Sequence, residues 1–573
     1  MIRRFSLSLL SLLLFVSCSG NKGGDIVSLA DYMEAYCING DATLAFHRAL
    51  DDCRAQGASA LIIPEGTYNV YPEYAFERYQ YVSNNDASLK RILLDLEGMK
   101  NFELRGENAH LILHGFMSPI SVTDCEGITI GGLSIDYART FHNEGTVVGV
   151  GDNTIDLHFS DAFPHYYADG HLHFCDTLGN EYPSHHMLEF DAVRCEPAWR
   201  ALDYWLDSSM PAEDLGGDVY RLYSDNVKAT VGNTMVLGAA KRYCPAIVLD
   251  HSSGILLHDI DIFHAGGMGV LGQFAKDVEL NHIHVVPSPD TERMVSITAD
   301  ATHFVLCDGY LRILDCEFFN QIDDATNIHG IYCTISKVLS PGQLLVEFSN
   351  DAQHNLDVFE PGVEAEIVKQ SNLIVKADCH VTAVEKLNSL QSVVTVEGDL
   401  SAVSAGDLIA RKQYPDVLIK GCRLGNNRAR GFLLGSRQQM IIEDCWFHTS
   451  GASLLFEGDG YYWYEQAGPR NVVIRNNTFD RCMYGAWTWG WAPIASNAGP
   501  RSERQESAYN RNVLIEGNHF ILNDPRIIDV YSVDSLVVRD NVIERVADYP
   551  DEPDNANRVP CKTRDCSRVH IAL

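Results

Sequence analysis

"ILLHDIDI", residues 255–262, is followed 23 residues later by "VELNHIHV", residues 278–285. Each is a short run of alternating apolar and polar residues, a polar bend, and a second short run. Such alternation belongs to half-buried β-strands, not helices. The phrase recurs as "ITIGGLSI" (128–135), "LRILDCEF" (311–318), "VLIKGCRL" (417–424), "MIIEDCWF" (440–447), "VVIRNNTF" (472–479), "VLIEGNHF" (513–520) and "LVVRDNVI" (536–543). Aligned on the bend, one column reads Leu133, Ile260, Ile283, Cys316, Cys422, Cys445, Asn477, Asn518, Asn541. Stacked coils produce such a column, because each coil sets the same position above its neighbour. The 23-residue step returns between Cys422 and Cys445 and between Asn518 and Asn541. The pattern predicts an all-β chain wound as a right-handed parallel β-helix. Its column cysteines are expected to be inward free thiols and its asparagines a side-chain ladder.

Near the start of the chain, "DATLAFHRALDDCRAQGASALIIPEGTYNV" (41–70) reads as a helix capped by Asp41, with Leu44, Ala45, Leu50 and Cys53 on one face. It resembles the entry segment of pectin-lyase-like β-helices, in which a helix covers the open end of the solenoid. Two stretches, 140–243 and 331–413, carry alternating strands and Gly/Asp turns without the column. Both are expected to be inserted antiparallel β-barrel domains. The β-helix then occupies 25–139 with the capping helix, 244–330, and 414–573 with the tail.

"MIRRFSLSLLSLLLFVSCSG" (1–20) has a basic start, an apolar run too short to span a bilayer, and Ser17–Cys18 at its end. It resembles a bacterial lipoprotein signal over residues 1–18, with Cys18 the lipidated residue and 19–24 a tether. An exported protein anchored to a membrane by lipid is therefore expected. The 573 residues carry a formal net charge of −33, which excludes nucleic acid as a partner and disfavours a polyanionic substrate. Of sixteen cysteines, Cys561 and Cys566 in "VPCKTRDCSR" are the one expected local disulfide.

"FFNQIDDATNIHG" (318–330) holds paired carboxylates, and Asp323 lies 23 residues after Asp300, which ends the strand of "MVSITADATHF" (294–304). One coil apart, the two would stand ~4.8 Å from each other at the backbone. Asp324 joins them if the chain bends there. Crowded carboxylates raise one another's pKa, so that one stays protonated while another ionises, as glycoside hydrolysis requires. A calcium site suits the same three groups.

Paired aspartates with a third one coil upstream resemble the inverting glycosidases of the polygalacturonase-type clan. The Gly-His-Gly and Arg-Ile-Lys motifs of polygalacturonases are absent, so a neutral sugar is expected. A resemblance covering nearly the whole chain rests on "YPEYAFERYQYVSNNDASLKRILLDLEGMKNFELRGENAHLILHG" (71–115), "LSIDYAR" (133–139), "FHAGGMGVLGQ" (263–273), "QIDDATNIHG" (321–330) and "NNRARGFLL" (426–434). These resemble glycoside hydrolase family 110, bacterial exo-α-1,3-galactosidases. The resemblance implies an inverting hydrolase of terminal α-galactosyl glycans on host glycoproteins or glycolipids, without cofactor or metal. It also implies Asp323 as general acid, with Asp300 and Asp324 activating water. His303, Asn327, His329, Arg430, Glu457 and Trp463 are candidate sugar-binding residues, and His264 could face the same cleft. The rival expectations are a calcium-dependent polysaccharide lyase, which would need Arg or Lys beside the carboxylates, and a catalytically silent adhesin.

Overall fold

The computed structural model describes residues 25–86, 88–496, 509–552 and 557–573. Cys18 and the expected signal segment lie outside the described residues. Among those described, no helix is long and apolar enough to cross a membrane.

The repeated phrases pair in parallel, phrase upon phrase. Leu133 pairs with Ile260 and Ile260 with Ile283. Further coils carry the ladder through Val417↔Met440, Met440↔Val472 and Val513↔Leu536. The inward residues of each phrase form one continuous core; Ile260, Ile283, Cys316 and Cys422 are fully buried in it. The bend has a backbone cause. The residue before the column is left-handed in every coil: Gly132, Asp259, His282, Asp315, Gly421, Asp444, Asn476, Gly517 and Asp540 all have φ between 50° and 71°. Glycine, asparagine and aspartate tolerate that conformation best, which is why the phrase carries them there.

The asparagine ladder forms as the column implied. Asn518 Oδ1 accepts the backbone and side-chain amides of Asn477, both at 3.0 Å. Its own Nδ2 donates to the Ile474 carbonyl at 3.0 Å and to Asn541 Oδ1 at 2.9 Å. Substituting Asn518 by alanine strands the buried Asn477 amide. The expected cost is about 2–3 kcal/mol, read as a lowered urea midpoint with the slope of the transition unchanged.

All fifteen cysteines in the described residues are free thiols. This corrects the expected Cys561–Cys566 disulfide. The two flank a bend between strands Cys561–Arg564 and Ser567–Ala572, which pair with different neighbours on separate sheets of the solenoid. The N-terminal region holds two helices, Ala30–Tyr36 and Thr43–Gln56. Asp41 caps the second by accepting the Thr43 amide at 2.8 Å. Its buried face is Ala45, Phe46, Ala49, Leu50 and Cys53, while Leu44 is only half-buried.

One insert closes into a barrel, not two. In the second, hydrogen bonding runs from Thr326–Ser340 through Gln343–Glu347, Gln391–Glu397, Val375–Lys386, Glu364–Val368 and Leu408–Arg411, and back to Thr326–Ser340. The first insert, strands Asn143–Val150 to Thr234–Ala239, is an antiparallel sheet with an open path, its ends at Glu196–Pro197 and Ala212–Gly216. Alternation is the same in open and closed sheets, so the strand pattern could not distinguish them. Thr326–Ser340 belongs to both structures: its first residues pair with solenoid strands, and its later ones build the barrel.

Candidate active site

The coil that carries the carboxylates is one residue longer than the 23-residue step. Thr302 pairs with Thr326, and the Ala301 amide donates to the Asp324 carbonyl at 2.9 Å. Asp324, not Asp323, therefore stacks on Asp300, which corrects the expected register. All three still converge: carboxylate oxygens of Asp300, Asp323 and Asp324 lie within 4.8 Å of one another. The bend at Asp323–Asp324 turns the first toward Arg242 and Arg428 and leaves the second buried beside Asp300, held by Arg430.

Each carboxylate has its own partners. Asp323 Oδ2 accepts from Arg242 at 2.5 Å and its Oδ1 from Arg428 at 3.2 Å. Asp324 is gripped by both Nε and Nη2 of Arg430, at 2.9 and 2.8 Å, and its Oδ1 also accepts the Arg430 backbone amide at 3.1 Å. Asp300 Oδ2 lies 2.6 Å from His303 Nδ1, and its Oδ1 accepts the Asp324 amide at 3.2 Å. Burial would raise Asp323, but Arg428, Arg242 and Arg430 outweigh it and hold its carboxyl below the usual range. Burial, with Asp323 adding to it, pushes Asp300 up to about 8. Asp324 is raised to about 7 by burial and by its two aspartate neighbours, against the pull of Arg430. The arginines thus favour the ionised form of Asp323, and burial favours the protonated form of Asp300.

The surrounding shell reaches across the chain. His303 and His329 approach Nε2 to Nε2 at 2.9 Å, and His329 Nδ1 donates to the Gly330 carbonyl at 2.8 Å. Glu465 accepts from Asn84 at 2.9 Å and from Asn327 at 3.2 Å, and lies 3.5 Å from His329. Arg430 also pairs with Glu457 at 3.2 Å, and Arg428 pairs with Asp203 at 2.8 and 3.0 Å. The structure thus gathers Asp300, Asp323, Asp324, His303, Asn327, His329, Arg430 and Glu457. It leaves Trp463 40 % exposed in a loop tied to the second insert through Gln353, its ring edge-on to Tyr462 at 4.9 Å. His264 does not face the cleft; it is fully buried, accepting the Phe141 amide and facing the Ser296 carbonyl.

Arg242, Arg428, Asp203, Glu465 and Asn84 escaped the sequence reading. Arg428 stood one residue from Ala429 in the quoted "NNRARG", and a pair of arginines two apart was its signal. Arg242 sits where the first insert rejoins the solenoid and carries no pattern. These arginines also stand where the lyase alternative needs Arg or Lys beside the carboxylates. None is free to act as a base, because each is bound to a carboxylate that holds its proton in place. They set positive charge directly beside the three carboxylates.

A family model described as a right-handed β-helix region matches residues 321–498, and one described as GLAA-B β-barrel domain I matches residues 143–235. The chain is 31 % identical over 533 residues to α-1,3-galactosidase A of Shewanella woodyi, covering 92 % of this chain and 87 % of that protein. Identity to α-1,3-galactosidase B of Bacteroides thetaiotaomicron is 27 %, over 91 % of this chain and 87 % of the other. For α-1,3-galactosidase B of Akkermansia muciniphila it is 29 %, over 97 % and 70 %.

Proposed function

The chain belongs to the α-1,3-galactosidase family, and we propose on that premise that it removes terminal α-1,3-linked galactose from glycan ends with inversion at the anomeric carbon. The observation that carries this reading is the convergence of Asp300, Asp323 and Asp324 among arginines already bound to carboxylates. Such a site has acid and base groups within reach of one bond, and no cation left over for an anionic sugar. Asp323 protonates the leaving oxygen, while Asp300 or Asp324 takes the proton of the attacking water. The favoured pattern, Asp323 ionised and Asp300 protonated, is the one such a cycle leaves after each turnover. A proton must return to Asp323 before the next, and displacement of water by the sugar raises its carboxyl toward that state.

Inversion is supported by the occupancy of the carboxylates. Both oxygens of each already meet a protein polar partner. Taking a proton from water disturbs fewer of these contacts than bonding to carbon. One observation favours a double displacement instead: the oxygens are closer than the ~6.5–9.5 Å usual between inverting carboxylates. Proton NMR of the first galactose released from linear and branched α-1,3-galactosides decides between them. β-Galactose first is expected; α-galactose first would make the mechanism retaining, and no galactose at all would end the functional reading. We further propose lipid anchoring at Cys18, which C18S should abolish in a detergent phase-partition assay.

A further inference from the structure

His303 and His329 continue a hydrogen-bonded line from Asp300, and the donors in this line can be assigned atom by atom. The Gly330 carbonyl can only accept, so His329 Nδ1 carries a hydrogen. The 2.9 Å approach of the two Nε2 atoms needs one hydrogen between them. Two lone pairs facing at that distance would repel. His329 is 5 % exposed and His303 1 %, and burial lowers the pKa of both, His303 to about 4. Burial thus favours neutral rings and places the hydrogen between them on His303 Nε2, while Glu465 Oε1, 3.5 Å from His329 Nε2, pulls the other way; the line holds one extra proton in either arrangement. With neutral rings, His303 Nδ1 is a lone pair, and the 2.6 Å contact with Asp300 Oδ2 is an O–H donated by the aspartate.

We infer that the line Asp300–His303–His329–Gly330 carbonyl is a built receptor for one proton, which makes Asp300, not Asp324, the base that takes it from the attacking water. This rests on the proposed hydrolysis. The water's oxygen bonds to the anomeric carbon, its proton passes to Asp300, and the leaving oxygen takes the proton of Asp323. His303, which touches Asp300, and His329, which touches His303, are positioning residues. Asp324 has no such backing: both its oxygens face one guanidinium, which offers no lone pair to receive an O–H. The charged groups facing the line are Arg242, Arg430, Asp323, Asp324 and Glu465, and the two His329 variants below leave all five in place.

His329→Gln keeps an acceptor for His303 and a donor for Gly330. His329→Leu keeps neither, so His303 turns its hydrogen toward Asp300 and favours the ionised carboxylate. The basic limb of kcat/KM, where the site loses its one shared proton, is expected about one pH unit lower in H329L and unmoved in H329Q. Equal movement in both variants, or none in H329L, overturns the inference. A readout without turnover accompanies it. Asp300 binds its proton more tightly folded than unfolded, so urea stability falls as pH rises toward about 8. That fall should end about one unit earlier in H329L and at the wild-type pH in H329Q. Should H329L not fold, azide decides. D300N given azide and p-nitrophenyl α-galactoside should regain turnover and yield β-galactosyl azide, and D324N should not. Rescue of D324N alone, or of neither variant, sinks the assignment. Failure of the functional reading looks different, since the wild type would then release no galactose from any α-1,3-galactoside.

Discussion

Asp323→Asn is expected to lower kcat on an unactivated α-1,3-galactoside by about a hundred- to ten-thousand-fold. On p-nitrophenyl α-galactoside, whose leaving group departs without a proton, the loss should be much smaller. Asp300→Asn should instead lose activity on both substrates, because water must be activated whatever the leaving group. The comparison matters because Asp323 is the least obvious acid in the unliganded site. Two arginines hold its oxygens, and their charge favours the carboxylate. If D300N is the variant spared by the good leaving group, the roles of Asp300 and Asp323 are exchanged. Thermal midpoints belong beside the kinetics, since Arg242 has Asp323 as a carboxylate partner and D323N removes that charge. Arg428 keeps Asp203 in either case.

A second large effect is expected on stability. Arg430→Met leaves Asp324 2 % exposed beside two other aspartates with no cation of its own. Breaking a buried pair from one side costs about 3–5 kcal/mol when the remaining group is charged. The pH dependence has a definite sign. Asp324 has a folded pKa raised to about 7, so the folded protein binds its proton more tightly than the unfolded chain does. Stability therefore falls as pH rises from the unfolded carboxyl value toward 7 in the wild type. Without Arg430 the folded pKa is higher still, and the fall continues to higher pH. Urea curves of wild type and R430M should run nearly parallel below pH 7 and separate above it. A gap of the same size at pH 5.5 and pH 8 would show that Arg430 acts only by packing.

The coil architecture was legible because it is local and periodic. The residue before the column must be left-handed, and the column must be small, apolar or able to bond along the stack, so composition at both positions follows from backbone geometry. The carboxylate cluster was legible for the same reason, through spacing. Its detail was not. A 23-residue step measured at Ile260–Ile283 says nothing about one extra residue at the bulge of Asp308–Leu311, where Asp308 pairs with Lys276 but Leu311 with Val278, and that residue exchanges which aspartate stacks on Asp300. The arginines were hidden for a different reason. Arg242, Arg428 and Arg430 come from the end of one insert and from a later coil, and only the winding of the chain brings them to Asp323 and Asp324. Closure of the second insert but not the first depends on whether the end strands meet, which alternation does not encode.

Thr326–Ser340 starts as a rung of the solenoid and ends as a stave of the barrel. Mechanically it is a cantilever, clamped at its root by parallel neighbours on both sides and bearing Asn327 and His329 there. The barrel cannot swing without bending that root, and Gln466 and Glu465 brace it again at Gly330 and Ile331. The cleft wall is therefore held on both sides where it leaves the solenoid. For the proposed hydrolysis, a choice between branched and linear glycans would then rest on the outline of this wall more than on its movement.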